Sequence, residues 1–260
     1  KDSYINQALK ISLQTIGKEF ESYIQKKESI TYNKENKKFD IKEHYYFYEL
    51  ELYSRAISND AKHDFSKLLL ELIKKEGLEL LTWSKKAIEL QNRVNFINEN
   101  MNNDFPIFTN DVLLETLELW LEPYLQNITT VKELEALDMY SILVGIIPWE
   151  KQQLLETLAP NSIKVPSGSN IKIDYSNPKN PILAVKIQEM FGLSVTPKIL
   201  NNTISLQIHL LSPALRPIQI TNDLKSFWEN SYDEVRKELF PKYKRHYWPT
   251  NPFEAVATNK

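Results

Sequence analysis

Leu211-Ser212-Pro213-Ala214-Leu215-Arg216-Pro217-Ile218-Gln219-Ile220-Thr221-Asn222-Asp223-Leu224-Lys225-Ser226-Phe227-Trp228 changes character along its length. It continues the extended run Thr203–Leu211, passes two prolines that stiffen its middle, and then becomes helical. Leu224, Phe227 and Trp228, followed by Tyr232, Val235 and Leu239, recur at the spacing of one helix face. Short extended pieces precede it at Ile163–Pro166, Asn170–Tyr175, Pro181–Ile187 and Pro197–Leu200. Asn177-Pro178-Lys179-Asn180 and Asn201-Asn202 separate them as turn residues do. Strands at this spacing, closed by helices, predict a small antiparallel sheet or partial barrel and an α+β class.

Proline marks the upstream limit of that region. Ten of the thirteen prolines lie from Pro160 onward, where they suit turns, edges and short strands. Before residue 161 the pattern is helical from about Asp60. Phe65, Leu68, Leu69, Leu72 and Ile73 form one apolar stripe, ended by Gly77 at a C-terminal cap position. Trp83, Ala87, Leu90, Val94 and Ile97 form a second. A third, opening at Asn110, uses Leu113, Leu114, Leu117 and Leu121. Thr130-Val131-Lys132-Glu133 has the form of a capping box. Met139, Ile142, Leu143, Ile146 and Ile147 continue to Pro148, and Gln152–Leu158 follows. The first sixty residues read as mixed. A strand at Tyr4–Ile11 and a helix over Leu13–Ile24 lead to strands at Ser29–Tyr32 and Lys38–Glu43 around a polar turn. One β-rich run then spans Tyr45–Ala56. Three segments follow from this reading: 1–60, a helical subdomain at 61–160, and a β-domain with terminal helices at 161–260.

Composition narrows the functions available. With 42% hydrophobic and 25% charged residues the chain is globular, and its length lets it bury roughly 70–75% of its unfolded surface. No run approaches the ~18 apolar residues of a membrane span, which predicts no membrane partner. No cysteine is present, excluding disulfides, thiolate metal sites and cysteine nucleophiles. Five glycines offer little from which to build a phosphate loop, and Gly17-Lys18 lacks the rest of a P-loop. His44, His63, His209 and His246 are far apart, and His209 suits a hydrogen-bonded sheet residue. Asp233-Glu234 reads as a solvated helix face with no partner to shift it. No catalytic or metal residue is assigned.

Charge is uneven: residues 104–160 hold two basic against ten acidic side chains, while 161–260 hold thirteen against eight. The acidic stretch reads as a solvated face or a docking surface. From Arg236 to Tyr247 there are five cations against one Glu, interleaved with Tyr243 and Tyr247 and followed by Trp248. Cations neutralise backbone phosphates and aromatic faces stack on unpaired bases. The plainer alternative is a tail clamped by its aromatics with its cations in water. Both readings stay open, as do two for Arg216 between its prolines: a fixed phosphate donor or a buried structural partner.

These motifs resemble a known family. Leu211–Trp228, Tyr232–Leu239 and Lys244–Pro249 are similar to the C-terminal region of HrpB-type bacterial ATP-dependent helicases of the DEAH-box RNA-helicase group. The likeness extends upstream through Leu119–Pro123, Leu137-Asp138, Pro148-Trp149, Val165–Ser169, Ile173–Tyr175, Leu183–Lys186 and Gln188–Gly192, covering roughly 62–252. In residues 1–60 only the strand–helix–strand order is similar, to the oligonucleotide-binding (OB) barrel behind the helicase core. The resemblance implies two RecA-like motor domains ahead of Lys1, an expectation that the missing initiator Met shares. ATP and Mg belong to those domains, none to this fragment, which is expected to be no enzyme by itself. It implies a cytoplasmic accessory region whose partners are single-stranded RNA or other nucleic acid and the parent's RecA-like domains. The expected nucleic-acid-binding residues are Arg216, Lys225, Arg236, Lys237, Lys242, Lys244, Arg245, Tyr247 and Trp248. The alternative is a docking module acting through the acidic helices.

Overall fold

A computed structural model describes residues 9–57, 65–101 and 105–259. Cα packing divides the chain into two compact units, Lys1–Thr82 with Leu114–Asp138, and Trp83–Leu113 with Met139–Lys260. The helical stretch expected as one subdomain is shared between them. The physical reason is that its helices find different apolar partners: the helix at 66–76 packs on the first sheet and on the short helices at 117–125, while the helix at 85–100 packs with those at 139–146 and 149–158.

In the first unit, helix α1 (Leu13–Glu19) opens at Ser12, whose hydroxyl accepts from the Thr15 amide. It is shorter than the Leu13–Ile24 helix expected, because the chain is extended from Ile24. Strands β1 (Ile24–Asn33), β2 (Lys38–Phe47) and β3 (Leu50–Ala56) form an antiparallel meander. The expected hairpin is present; the single run Tyr45–Ala56 is instead folded at Tyr48, which has φ 54°. Three strands stand here among the described residues, against the five of an OB barrel. The strand expected at Tyr4–Ile11 falls largely outside the described residues, and residues 9–11 are not in a strand.

Helix α2 (Ser66–Glu76) packs on β1 and buries Leu69, Leu70, Leu72 and Ile73. Gly77 ends it at φ 97°, a conformation that residues with a side chain rarely adopt, and a Cβ there would crowd the Glu79 carboxylate. The leucine-rich run after Asn110 is broken into α4 (Asn110–Glu115), α5 (Leu117–Trp120) and α6 (Glu122–Leu125). Pro123 lacks an N–H and fits only the first turn of a new helix. Helix α7 (Val131–Glu135) carries the expected capping box: Thr130 Oγ1 accepts from the Glu133 amide at 3.3 Å, and Glu133 Oε2 accepts from the Thr130 amide at 2.9 Å.

In the second unit, α3 (Lys85–Asn100) packs against α8 (Met139–Ile146) and α9 (Trp149–Leu158). Pro148 separates the last two and starts α9 three residues before the expected position. Arg93 of α3 is buried; its Nε donates to the Ala159 carbonyl at 2.6 Å and its Nη2 meets Glu156 at 2.7 Å. The sheet runs β10-β9-β6-β5-β4, from Pro217–Thr221, Gln207–Leu211, Ile182–Lys186, Asn170–Asp174 and Ser162–Lys164. It is mixed, not purely antiparallel, because β6 and β9 pair in parallel, Leu183 opposite Ile208 and Val185 opposite Leu210. A 3₁₀ turn at Ile187–Met190 and the small hairpin β7–β8 (Lys198–Ile199, Ile204–Ser205) form the crossover that such pairing needs. Edge strand β10 was not expected as a strand; Pro217 is its first residue, where a missing N–H is harmless. Helices α10 (Leu224–Asn230) and α11 (Tyr232–Leu239) close the unit.

One ionic row crosses the meander, its central carboxylate buried and its cations exposed. Glu43, 4% exposed, is bonded to Lys26, to Arg55 Nε at 2.5 Å and to the Tyr45 hydroxyl at 2.9 Å. The Lys26 bond first and the Arg55 bond second hold its carboxyl down to about 2. A folded value below the ordinary 4.5 stabilises above that value and fades as pH falls toward 2. Glu43→Gln is expected to lower the urea midpoint at neutral pH, with the deficit shrinking between about pH 5 and pH 3. A deficit independent of pH contradicts this.

Candidate nucleic-acid interface

The C-terminal segment is held by aromatic packing. Phe191, Phe227, Trp228 and Tyr232 are buried, with ring centroids 5.0 to 6.5 Å apart and mutually tilted or edge-on. Such pairs add about 0.5–1.5 kcal/mol each beyond area burial. Each polar tip has a partner. Trp228 Nε1 donates to the Leu193 carbonyl at 2.8 Å, and the Tyr232 hydroxyl to the Pro249 carbonyl at 2.8 Å. Burial pushes the Tyr232 phenol above its ordinary value. Asp223 caps α10 by accepting from the Ser226 amide at 3.0 Å.

This frame sorts the nine expected contact residues. Trp248 is 6% exposed and its Nε1 donates to the Tyr243 carbonyl at 3.1 Å, so its face is not offered to a base. That corrects the stacking role expected for it: a large ring beside an apolar core gains more by burial than by waiting in water. Tyr247 is 49% exposed and meets Phe191 edge-on at 6.0 Å, leaving ring surface open. Arg236 is tied down: its Nε donates to the Trp248 carbonyl at 3.1 Å, and Asp233 lies 3.9 Å from its Nη1.

Three further cations have acidic neighbours one helical turn away. Lys237 meets Asp233 at 2.7 Å, Lys242 meets Glu238 at 2.8 Å, and Lys225 lies 3.8 Å from Glu229. The Lys237 bond lowers the Asp233 carboxyl, and Asp233 in turn raises Lys237. Asp233 therefore does have the partner that its sequence context did not announce. These pairs are exposed and screened by solvent, so they add little to stability. They reduce the local field more than they stabilise the fold. Arg216, Lys244 and Arg245 are exposed and make no ion pair among the described residues. Arg216 sits at a tight turn where its amide donates to Ser212 Oγ at 3.1 Å, and it is not a buried structural partner.

His209 bonds Gln207 at 3.1 Å within β9, as a sheet residue. Among the described residues no group of three acidic or histidine side chains is placed to hold a metal, and no helix is long and apolar enough to cross a membrane.

Comparison with known proteins places this arrangement. Residues 120–252 match the family model described as ATP-dependent helicase C-terminal, HrpB_C. The chain belongs to the ATP-dependent helicase C-terminal family. It is 35% identical over 207 residues to the ATP-dependent RNA helicase HrpB of Escherichia coli K12, covering 79% of this chain and 26% of that protein. Two solved structures are similar at 30% identity. The crystal structure of E. coli DExH-box NTPase HrpB matches with a TM-score of 0.76 over 97% of this chain and 31% of its own. That of the E. coli DEAH/RHA helicase HrpB matches with 0.68 over 87% and 29%. The chain thus spans about a quarter of the curated relative's length.

Burial separates the two neighbouring aromatics in a measurable way. Trp248→Ala is expected to cost about 3–5 kcal/mol in chemical denaturation, and Tyr247→Ala about 1 kcal/mol. Equal costs contradict the assignment of one as core and the other as surface.

Proposed function

We propose that this region serves an ATP-dependent helicase as an accessory part that contacts single-stranded RNA without sequence preference, beside motor domains elsewhere in the parent. Lys244 and Arg245 carry the reading: adjacent, exposed and without an ion-pair partner among the described residues, next to the half-open ring of Tyr247. Arg216 is a third cation of the same kind. Their contribution is phosphate neutralisation, with Tyr247 supplying stacking at roughly 1–3 kcal/mol per base. Lys225, Lys237 and Lys242 contribute less, because each must first release a carboxylate.

The docking alternative has its own support in the first unit. Leu119 is 82% exposed on α5, in a stretch that also carries Glu115, Glu118 and Glu122. An exposed apolar residue flanked in sequence by acids, of which Glu118 already holds Lys74, suits a basic protein surface, such as a motor domain's, better than an RNA backbone.

Salt titration of oligouridylate binding decides between them. The double variant Lys244→Ala with Arg245→Ala is expected to weaken binding and to flatten the plot of log affinity against log salt by about 1.4 units. Undetectable binding of the unaltered chain at low salt favours docking. The sequence carries no P-loop motif, so we also expect the purified region to hydrolyse no ATP above background, with or without RNA. Turnover abolished by neither dialysis nor repurification overturns that expectation.

A further inference from the structure

A second cationic site, in the first unit, is assembled by the fold from distant pieces of sequence. The β1–β2 turn and the start of α7 enclose a cleft of 830 Å³. Its floor is the apolar pair Phe39 and Val131, 6% and 3% exposed. Its walls carry four lysines, Lys34, Lys37 and Lys38 from the turn and Lys132 from the first turn of α7, against two carboxylates, Glu35 and Glu135. Lys34 is paired with Glu76 at 3.1 Å and Lys37 with Glu135 at 3.6 Å. Lys38 and Lys132 are exposed and have no ion-pair partner among the described residues.

Both walls are held in shape by hydrogen bonds that leave these amines free. Asn33 Oδ1 accepts from the amides of Glu35 at 3.1 Å and Asn36 at 3.3 Å, and Asn36 Oδ1 accepts from the Lys38 amide at 3.1 Å. Lys37 is thereby fixed at φ 51°, a conformation that side chains other than glycine rarely adopt. On the other side the Thr130–Glu133 capping box fixes α7. A volume of this size falls within the range that small ligands and single nucleotides fill. Two unpaired amines over an apolar floor match a phosphate attached to a base and sugar.

We infer that this cleft holds one nucleotide of a bound single strand, with Lys38 and Lys132 on its phosphates and Phe39 and Val131 beneath it. The inference rests on the nucleic-acid reading above and adds a site to it. The test is fluorescence anisotropy of labelled oligouridylate on the whole chain. The double variant Lys38→Glu with Lys132→Glu is compared with Lys244→Glu with Arg245→Glu, and circular dichroism melts check that both remain folded. The expected result is about a tenfold or greater loss for the cleft variant and a salt slope reduced by about 1.4 units. Unchanged affinity in the cleft variant, with loss in the C-terminal variant, overturns the cleft and leaves the nucleic-acid reading standing. No binding by the unaltered chain overturns both. Free uridine triphosphate serves as competitor: displacement of the strand at equal phosphate concentration, lost in the cleft variant, overturns the strand in favour of a free nucleotide.

Discussion

The packing of Phe191 against Trp228 and Tyr232 governs what the C-terminal segment can do. Those rings join the crossover after β6 to α10 and α11, and their polar tips fasten Leu193 and Pro249. Trp248 then has somewhere to bury, which fixes the direction in which Tyr243 to Tyr247 leave the surface. Arg236 is drawn into the same frame through the Trp248 carbonyl. An element that begins in sequence as a basic, aromatic tail becomes in the fold a rigid strap with a few exposed groups.

Charge follows from the same rigidity. Helical spacing sets Asp233 against Lys237 and Glu238 against Lys242, so the segment's field is weaker than its residue count suggests. Of the cations at the two candidate sites, Arg216, Lys244 and Arg245 in one unit and Lys38 and Lys132 in the other have no ion-pair partner among the described residues. Each stands on backbone fixed by turn or cap hydrogen bonding, or just after a helix end. Long-range attraction of a polyanion depends on such unneutralised charge, and is screened within about 8 Å at physiological salt.

Much of the architecture could be read from local chemistry. The capping box at Thr130–Glu133, the Gly77 terminator and the hairpin around Asn33–Asn36 each depend on residues a few positions apart, and each is where the sequence puts it. The family likeness was carried by a motif run dense enough to need no structure. The parallel pairing of β6 with β9 was hidden, since nothing within either strand states its neighbour's direction. Edge strand β10 was hidden by its own proline. In the site, alternation of aromatics and cations concealed that Trp248 is core and Tyr247 is surface, a difference set by tertiary packing. Lys132 was hidden more deeply: it lies almost a hundred residues from Lys38, and only the fold of the first unit brings α7 beside the turn.

Lysine acetylation footprinting with and without a saturating single-stranded RNA tests directly whether unpaired charge is what meets the strand. The account predicts protection of Lys244, Lys38 and Lys132, with Lys237 and Lys242 reacting equally in both samples. Protection centred on Lys237 and Lys242, or spread evenly over all surface lysines, would contradict it.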